Sequence, residues 1–242
     1  IKTKNEGCIM DIQNKNRKLL KKNHVYDETM EHDACGVGLV ASTEGLKSRK
    51  VVEYGIEALK AVWHRGAIDA DGKTGDGAGI HIEIPNDFFA EKIEITGHEH
   101  DNSDLCVGMI FLPRNDFGGQ EQCRSIVESE LTKKNFNIYG WRQVPVDPSV
   151  LGEKAEQTRP EITQVLFTHN DNSIHGKDLE RALYETRRKI EKEALRNQLN
   201  NFYICSFSSK SIIYKGMFLA ESLSDFYPDL KDERFISRYA IF

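Results

Sequence analysis

A glycine-rich run places the strongest constraint on the backbone of this 242-residue chain. Glycine occupies four of the nine positions from Asp71 to Gly79, so the chain must turn tightly there or approach another segment closely. Ile80, Ile82 and Ile84 then alternate with polar residues, which predicts a half-buried strand. A phosphate-binding GxGxxG loop would need glycine at position 80 and a helix after it. The run therefore predicts a tight turn that brings backbone close to an active site.

Apolar periodicity predicts one mixed α+β domain over residues 35–242. Helices are expected where apolar residues recur at helical spacing, at 50–63, 119–133 and 177–198. Strands are expected at 35–42, 80–84, 105–113, 137–145, 161–169, 202–207, 212–214 and 235–242. The first strand should be buried, and the pair at 202–207 and 212–214 resembles a hairpin.

Charge, hydropathy and cysteine usage limit the possible partners and compartment. A formal net charge of -5 gives no reason to expect nucleic-acid binding. No segment approaches the roughly 20 apolar residues that a membrane-spanning helix needs. The five cysteines are scattered and form no CxxC pair, so reduced thiols in a cytoplasmic compartment are favoured over disulfides. The same scatter excludes an iron–sulfur or zinc site built from neighbouring cysteines alone.

Residues 1–34 are interpreted as a leader. Residues 1–26 carry a net charge of +5 and residues 27–34 a net charge of -4, without apolar periodicity. We therefore expect a poorly ordered or loosely docked segment. A transit peptide and a solvated tail are both open interpretations, and Met10 is a candidate start residue.

Cys35 is the candidate nucleophile, because the charged leader ends just before it and Gly36 and Gly38 leave little bulk beside it. Cleavage between Ala34 and Cys35 would place a thiol and a free α-amine on one residue. An α-amine has a pKa of about 7.7–8.0, so it can accept a proton near neutral pH. A thiol needs only modest help from such a base. The alternative is that Cys35 is simply a small buried apolar residue.

Two further motifs have ordinary structural explanations. His64-Arg65-Gly66 can be a helix terminus, with glycine ending the helix and the basic pair facing its negative end. His98-Glu99-His100 offers two histidines in a polar loop with no third ligand nearby, so solvated side chains are favoured over a metal site.

Taken in their order along the chain, these motifs resemble the start of glutamate synthase large subunits. The matching segments are Asp33–Leu39, His64–Gly66, Asp69–Gly79, Val107–Leu112, Gly140–Pro145, Leu151–Gly152, Pro160–Ile162 and Phe202–Ser206. The run from Asp69 to Gly79 is far more specific than a lone glycine motif, and the resemblance extends over essentially all of residues 33–242.

The resemblance implies a class II glutamine amidotransferase domain with the four-layer αββα fold of N-terminal-nucleophile hydrolases. Cys35 would become the mature N-terminus, attack glutamine and release ammonia through a glutamyl thioester, with Arg65 and Gly66 supporting the site. The ammonia would travel to 2-oxoglutarate in a downstream synthase half that carries FMN and a 3Fe–4S cluster. No cofactor is expected in this segment, and the implied partners are the rest of the large subunit and either a small NADPH-oxidising FAD subunit or ferredoxin.

The resemblance also places the groups that bind glutamine's carboxylate and form the oxyanion hole beyond Phe242. Residues 1–242 alone are therefore expected to be inactive. Two alternatives stay open from the sequence: another class II amidotransferase, and a non-catalytic glutamine-binding module.

Overall fold

The computed structural model describes residues 36–62, 68–99 and 104–242, together with the isolated positions 15, 18, 19 and 22. Within the three continuous ranges the helices are α1 Arg49–Ala61, α2 Asn86–Ile95, α3 Phe117–Lys133, α4 Glu153–Thr158, α5 Gly176–Arg196 and α6 Leu223–Phe226. The strands are β1 Leu39–Ala41, β2 Ala78–Glu83, β3 Cys106–Leu112, β4 Phe136–Gln143, β5 Glu161–His169, β6 Tyr203–Ser208, β7 Ser211–Gly216 and β8 Tyr239–Ile241. Short 3₁₀ turns lie at Pro148–Val150, Ala220–Ser222 and Pro228–Lys231.

The strands form two four-stranded sheets in which all neighbours are antiparallel. The first sheet has the order β1-β8-β2-β7, and the second has the order β4-β5-β3-β6. The predicted α+β fold with two antiparallel sheets is confirmed, and it agrees with the N-terminal-nucleophile hydrolase architecture that the resemblance implied.

The alternation of side chains along β3 explains how the layers are stacked. Val107 and Met109 point into a core that also holds Ile80, Ile82 and Tyr214 of the first sheet. The intervening β3 residues point into a second core, which packs the other face of the sheet against α3 and α5; they are Cys106, Ile110 and Leu112. Because strand side chains alternate between faces, one buried strand serves both cores.

The three predicted long helices are present, and α1 and α5 are amphipathic, as their spacing indicated. In α1 the buried residues Val52, Ile56 and Leu59 recur every three or four positions, and the Ser48 side chain caps the helix by accepting from the Lys50 N–H. In α5 the stripe of Leu179, Leu183 and Ile190 lies in the second core. No helix in the described residues is both long enough and apolar enough to cross a membrane.

The structure corrects the prediction of a buried first strand. The strand has three residues and lies at the edge of its sheet, where Leu39 is 64% exposed and only Val40 packs against the core. Because side chains alternate along a strand, Leu39 and Ala41 lie on the face of β1 opposite to Val40 and remain exposed.

The predicted hairpin is also wrong. Strands β6 and β7 are separated by two residues, yet β6 pairs with β3 in the second sheet and β7 pairs with β2 in the first. The chain crosses between sheets at Ser208–Lys210, where the Glu180 carboxylate of α5 accepts hydrogen bonds from the Ser208 and Ser209 hydroxyls and from the Ser209 N–H. These bonds stabilise the crossover, where a hairpin would instead have backbone hydrogen bonds between its two strands.

Candidate active site

The three residues that sequence reasoning assigned to the site, Cys35, Arg65 and Gly66, lie outside the described residues. Gly36 and Val37 follow the candidate nucleophile, and β1 begins two residues later. The surroundings of the site can therefore be built from its neighbours.

A cavity of about 670 Å³ opens beside the residues that follow Cys35. Gly36 and Val37 form one part of its wall, and the end of the glycine-rich run forms another. The remaining walls come from the end of β7 and from residues in both sheets. The lining residues are Gly36, Val37, Leu59, Asp76–His81, Phe111, Tyr203, Ile213, Lys215–Met217, Ile241 and Phe242.

The glycine-rich run reaches this cavity because its backbone packs against the end of β7. A Cβ at Gly75 would lie 3.0 Å from the carbonyl oxygen of Phe218, and one at Gly79 would lie 2.7 Å from the Lys215 Cβ. Gly77 has φ +126°, a conformation that side chains with a Cβ rarely adopt. Close backbone approach therefore explains the glycines at 75 and 79, while the approach of the run to an active site stays a prediction.

The start of the run is held by its own side chains. The Asp71 Oδ1 atom accepts hydrogen bonds from the backbone N–H groups of Lys73 and Thr74, at 2.9 and 2.7 Å. The Oδ2 atom accepts from the Thr74 hydroxyl at 2.6 Å. These bonds, the Thr74 hydroxyl first, lower the pKa of Asp71 to about 2, so the carboxylate is ionised at neutral pH.

The cavity contains a lysine and a histidine that sequence reasoning did not select. The Lys215 ammonium donates a hydrogen bond to the Tyr203 hydroxyl at 2.8 Å. Burial lowers the pKa of His81, whose ring packs edge-on against Tyr239. Their strands were recognised in the sequence, but nothing local to Lys215 or His81 indicated that both would face one cavity.

The other described cysteines lie in environments that suppress thiol chemistry. Burial raises the pKa of Cys123 and of Cys205 to about 11, and it raises the pKa of Cys106 still further. All three are free and buried. Because the thiolate is the nucleophilic form, none of the three is suited to attack a substrate at neutral pH.

The described residues contain no group of three or more histidine, cysteine or acidic side chains that could hold a metal ion. His98 contacts the Thr96 hydroxyl at 3.0 Å and packs edge-on against Tyr139, while His100 lies outside the described residues. The described residues therefore contain no cluster of three or more cysteine, histidine or acidic ligands for an iron–sulfur centre either.

Comparison with known proteins gives consistent matches over this region. The sequence profile of class-II glutamine amidotransferases matches residues 35–242. The chain is 55% identical over 219 residues to the glutamate synthase [NADPH] large chain of Azospirillum brasilense, which covers 90% of this chain and 14% of that protein. It is 38% identical over 213 residues to ferredoxin-dependent glutamate synthase 2 of Synechocystis, covering 88% of this chain and 13% of that protein. The chain thus spans about one seventh of these relatives.

Proposed function

The chain belongs to the class-II glutamine amidotransferases, and we propose that in the complete enzyme Cys35 is the nucleophile that attacks glutamine after residues 1–34 are removed. The observation that carries this proposal is the point at which the family match begins, which is Cys35 itself. The cavity beside Gly36 and Val37 supports it, because it supplies space for a small substrate next to the two residues that follow Cys35 in the sequence.

The bond-making and proton-transfer steps of the proposed reaction involve the thiol, the α-amine and water. The α-amine accepts the thiol proton as sulfur attacks the side-chain amide carbon of glutamine, and that proton then leaves with ammonia. The resulting glutamyl thioester is hydrolysed by water, which releases glutamate and regenerates the thiol. An uncut peptide nitrogen at Cys35 has no comparable basicity, so removal of the leader is part of the proposal. Arg65 and Gly66 are proposed to support the site.

We further propose that the chain is the ammonia-producing part of a glutamate synthase large subunit in the cytoplasm. The names of the relatives support this assignment. In the complete enzyme the ammonia would aminate 2-oxoglutarate in a domain with FMN and a 3Fe–4S cluster. A small FAD subunit that oxidises NADPH, or ferredoxin, would supply electrons.

Two measurements on the complete enzyme test the proposal. Intact mass or N-terminal sequencing should find Cys35 as the first residue. The Cys35→Ala variant should lose glutamine-dependent synthesis and keep ammonia-dependent synthesis, because the second reaction bypasses the thiol. Full activity in enzyme that retains Ala34, or glutamine-dependent turnover in Cys35→Ala, would contradict the assignment.

A further inference from the structure

Helix α4 packs its N-terminus against the glycine-rich run. The helix begins after Gly152, which has no side chain to cap it. The Asp71 carboxylate lies there instead, where the backbone N–H of Glu153 contributes to lowering its pKa. One residue further into the helix, the Lys154 ammonium donates to the Asp69 carboxylate at 2.6 Å. Helix α4 is thus connected to residues 69–74 by two polar contacts, one between Glu153 and Asp71 and one between Lys154 and Asp69.

The contact leaves no room for a side chain at position 152. A Cβ on Gly152 would overlap the Asp71 Oδ2 and Thr74 Oγ1 atoms and would lie 2.6 Å from the Thr74 backbone nitrogen. The φ and ψ angles of Gly152 are −77° and 165°, which any residue can adopt. Glycine is therefore required by the neighbouring loop and not by the local backbone.

The segment held in this way continues directly into the cavity wall. Thr74 is followed by Gly75, whose backbone packs on Phe218, and then by the lining residues Asp76–His81. A displacement at Thr74 must be absorbed within a few residues or passed on to that wall. Close packing of Gly75 and Gly79 against the end of β7 leaves little space to absorb it.

We propose that Gly152 and Asp71 are positioning residues for glutamine hydrolysis, because they fix the glycine-rich run against α4 and so set the position of the wall of the cavity that Gly36 and Val37 also line. This inference rests on the proposed function. Neither residue lines the cavity, so both act through the run.

The test is Gly152→Ala in the complete enzyme. A loop displaced by about 1 Å can cost about a hundredfold in rate, so we expect kcat/KM for glutamine to fall by about 10- to 100-fold, mainly through KM. Ammonia-dependent synthesis should be unchanged. Asp71→Ala should act in the same direction, and Asp71→Asn should recover part of the loss, because its amide oxygen can still accept from the loop N–H groups.

Asp116→Ala provides the matched control. Asp116 caps α3 by accepting from the Gly119 N–H at 2.9 Å, and it lies outside both the run and the cavity. This variant should lower the melting temperature and leave KM for glutamine unchanged. A binding measurement separates positioning from folding: in a Cys35→Ala background, Gly152→Ala should raise the calorimetric Kd for glutamine at least tenfold.

Two outcomes overturn the inference without touching the proposed function. The first is that Gly152→Ala and Asp71→Ala lower the melting temperature while kcat/KM for glutamine stays within twofold of the wild type. The second is an unchanged Kd in the Cys35→Ala background. Persistent glutamine turnover in Cys35→Ala alone would instead remove the proposed function.

Discussion

Asp229 completes a buried polar network that connects both sheets, and its removal should destabilise the protein strongly. Its two carboxylate oxygens each accept a hydrogen bond from the Arg142 guanidinium on β4 at 2.7 Å, and one also accepts from the Tyr214 hydroxyl on β7 at 3.0 Å. The guanidinium donates in addition to Gln164 on β5, whose amide donates to Tyr214. The Asp229 and Arg142 side chains are only 4% and 14% exposed.

The expected loss of stability in Asp229→Ala follows from the Arg142 charge that remains buried without its carboxylate partner. Arg142 would keep its charge in the core with Gln164 as its remaining acceptor in this network, and breaking a buried ion pair from one side costs about 3–5 kcal/mol. The Tyr214 hydroxyl would also lose its acceptor, but the two losses involve one network and do not add. We expect the free energy of unfolding to fall by about 4 kcal/mol, which corresponds to a fall of about 8–16 °C in melting temperature for a domain of this size.

Urea unfolding of the 242-residue chain, followed by circular dichroism, measures this loss. Asp225→Ala is the control, because Asp225 pairs with Lys231 at the surface, where the two side chains are 56% and 57% exposed. Exposed pairs contribute about 0–1 kcal/mol, so the control should unfold close to the wild type. A loss below about 1 kcal/mol in Asp229→Ala would show that water or a rearranged Arg142 compensates, and the reasoning would be wrong.

Two other predictions follow from the pKa values. The depressed pKa of Asp71, about 2, contributes stability that is present above the unfolded value of about 3.9 and is lost as pH falls through 2. In urea titrations the difference in unfolding free energy between wild type and Asp71→Ala should therefore be constant above about pH 5 and shrink between about pH 4 and 2. A difference at pH 2 as large as the one above pH 5 would refute this. Because burial raises the pKa of Cys106 and Cys205, Cys106→Ala and Cys205→Ala should keep glutamine-dependent turnover within about threefold in the complete enzyme, and a larger loss would give one of them a role in the reaction.

Elements with a regular apolar stripe could be predicted from the sequence. Helices α1, α3 and α5 follow the expected ranges closely, because their core-facing residues recur at helical spacing. Helix α2 was missed, because its buried residues Phe88, Phe89 and Ile93 form a stripe of less than two turns, which is too short to indicate a helix. The short helix α4 was also missed, because its six residues bury only Ala155 and so carry no apolar stripe.

Which strands pair and which residues line the cavity could not be predicted from local sequence, because both depend on contacts between distant segments. The two-residue separation of β6 and β7 favours a hairpin, but their actual partners β3 and β2 are set by packing between distant segments. The glycine-rich run was recognised as a close-approach segment, whereas Lys215 and Phe111 join the cavity only through the sheet arrangement. The predictions for Cys35, Arg65 and Gly66 stay predictions.

The pairing of β1 with β8 has a consequence for the order in which the protein can assemble. Leu39 pairs with Ile241, Gly38 exchanges backbone hydrogen bonds with Phe242, and within the described residues β8 is the only sheet partner of β1. During synthesis the segment after Cys35 must therefore wait until roughly 200 further residues have left the ribosome before its strand can pair. Contacts between such distant residues form slowly, because a long loop must close first. Strand β1 should be among the last of the described elements to become protected from hydrogen exchange, so the strand that follows the proposed nucleophile in the sequence would pair late in folding.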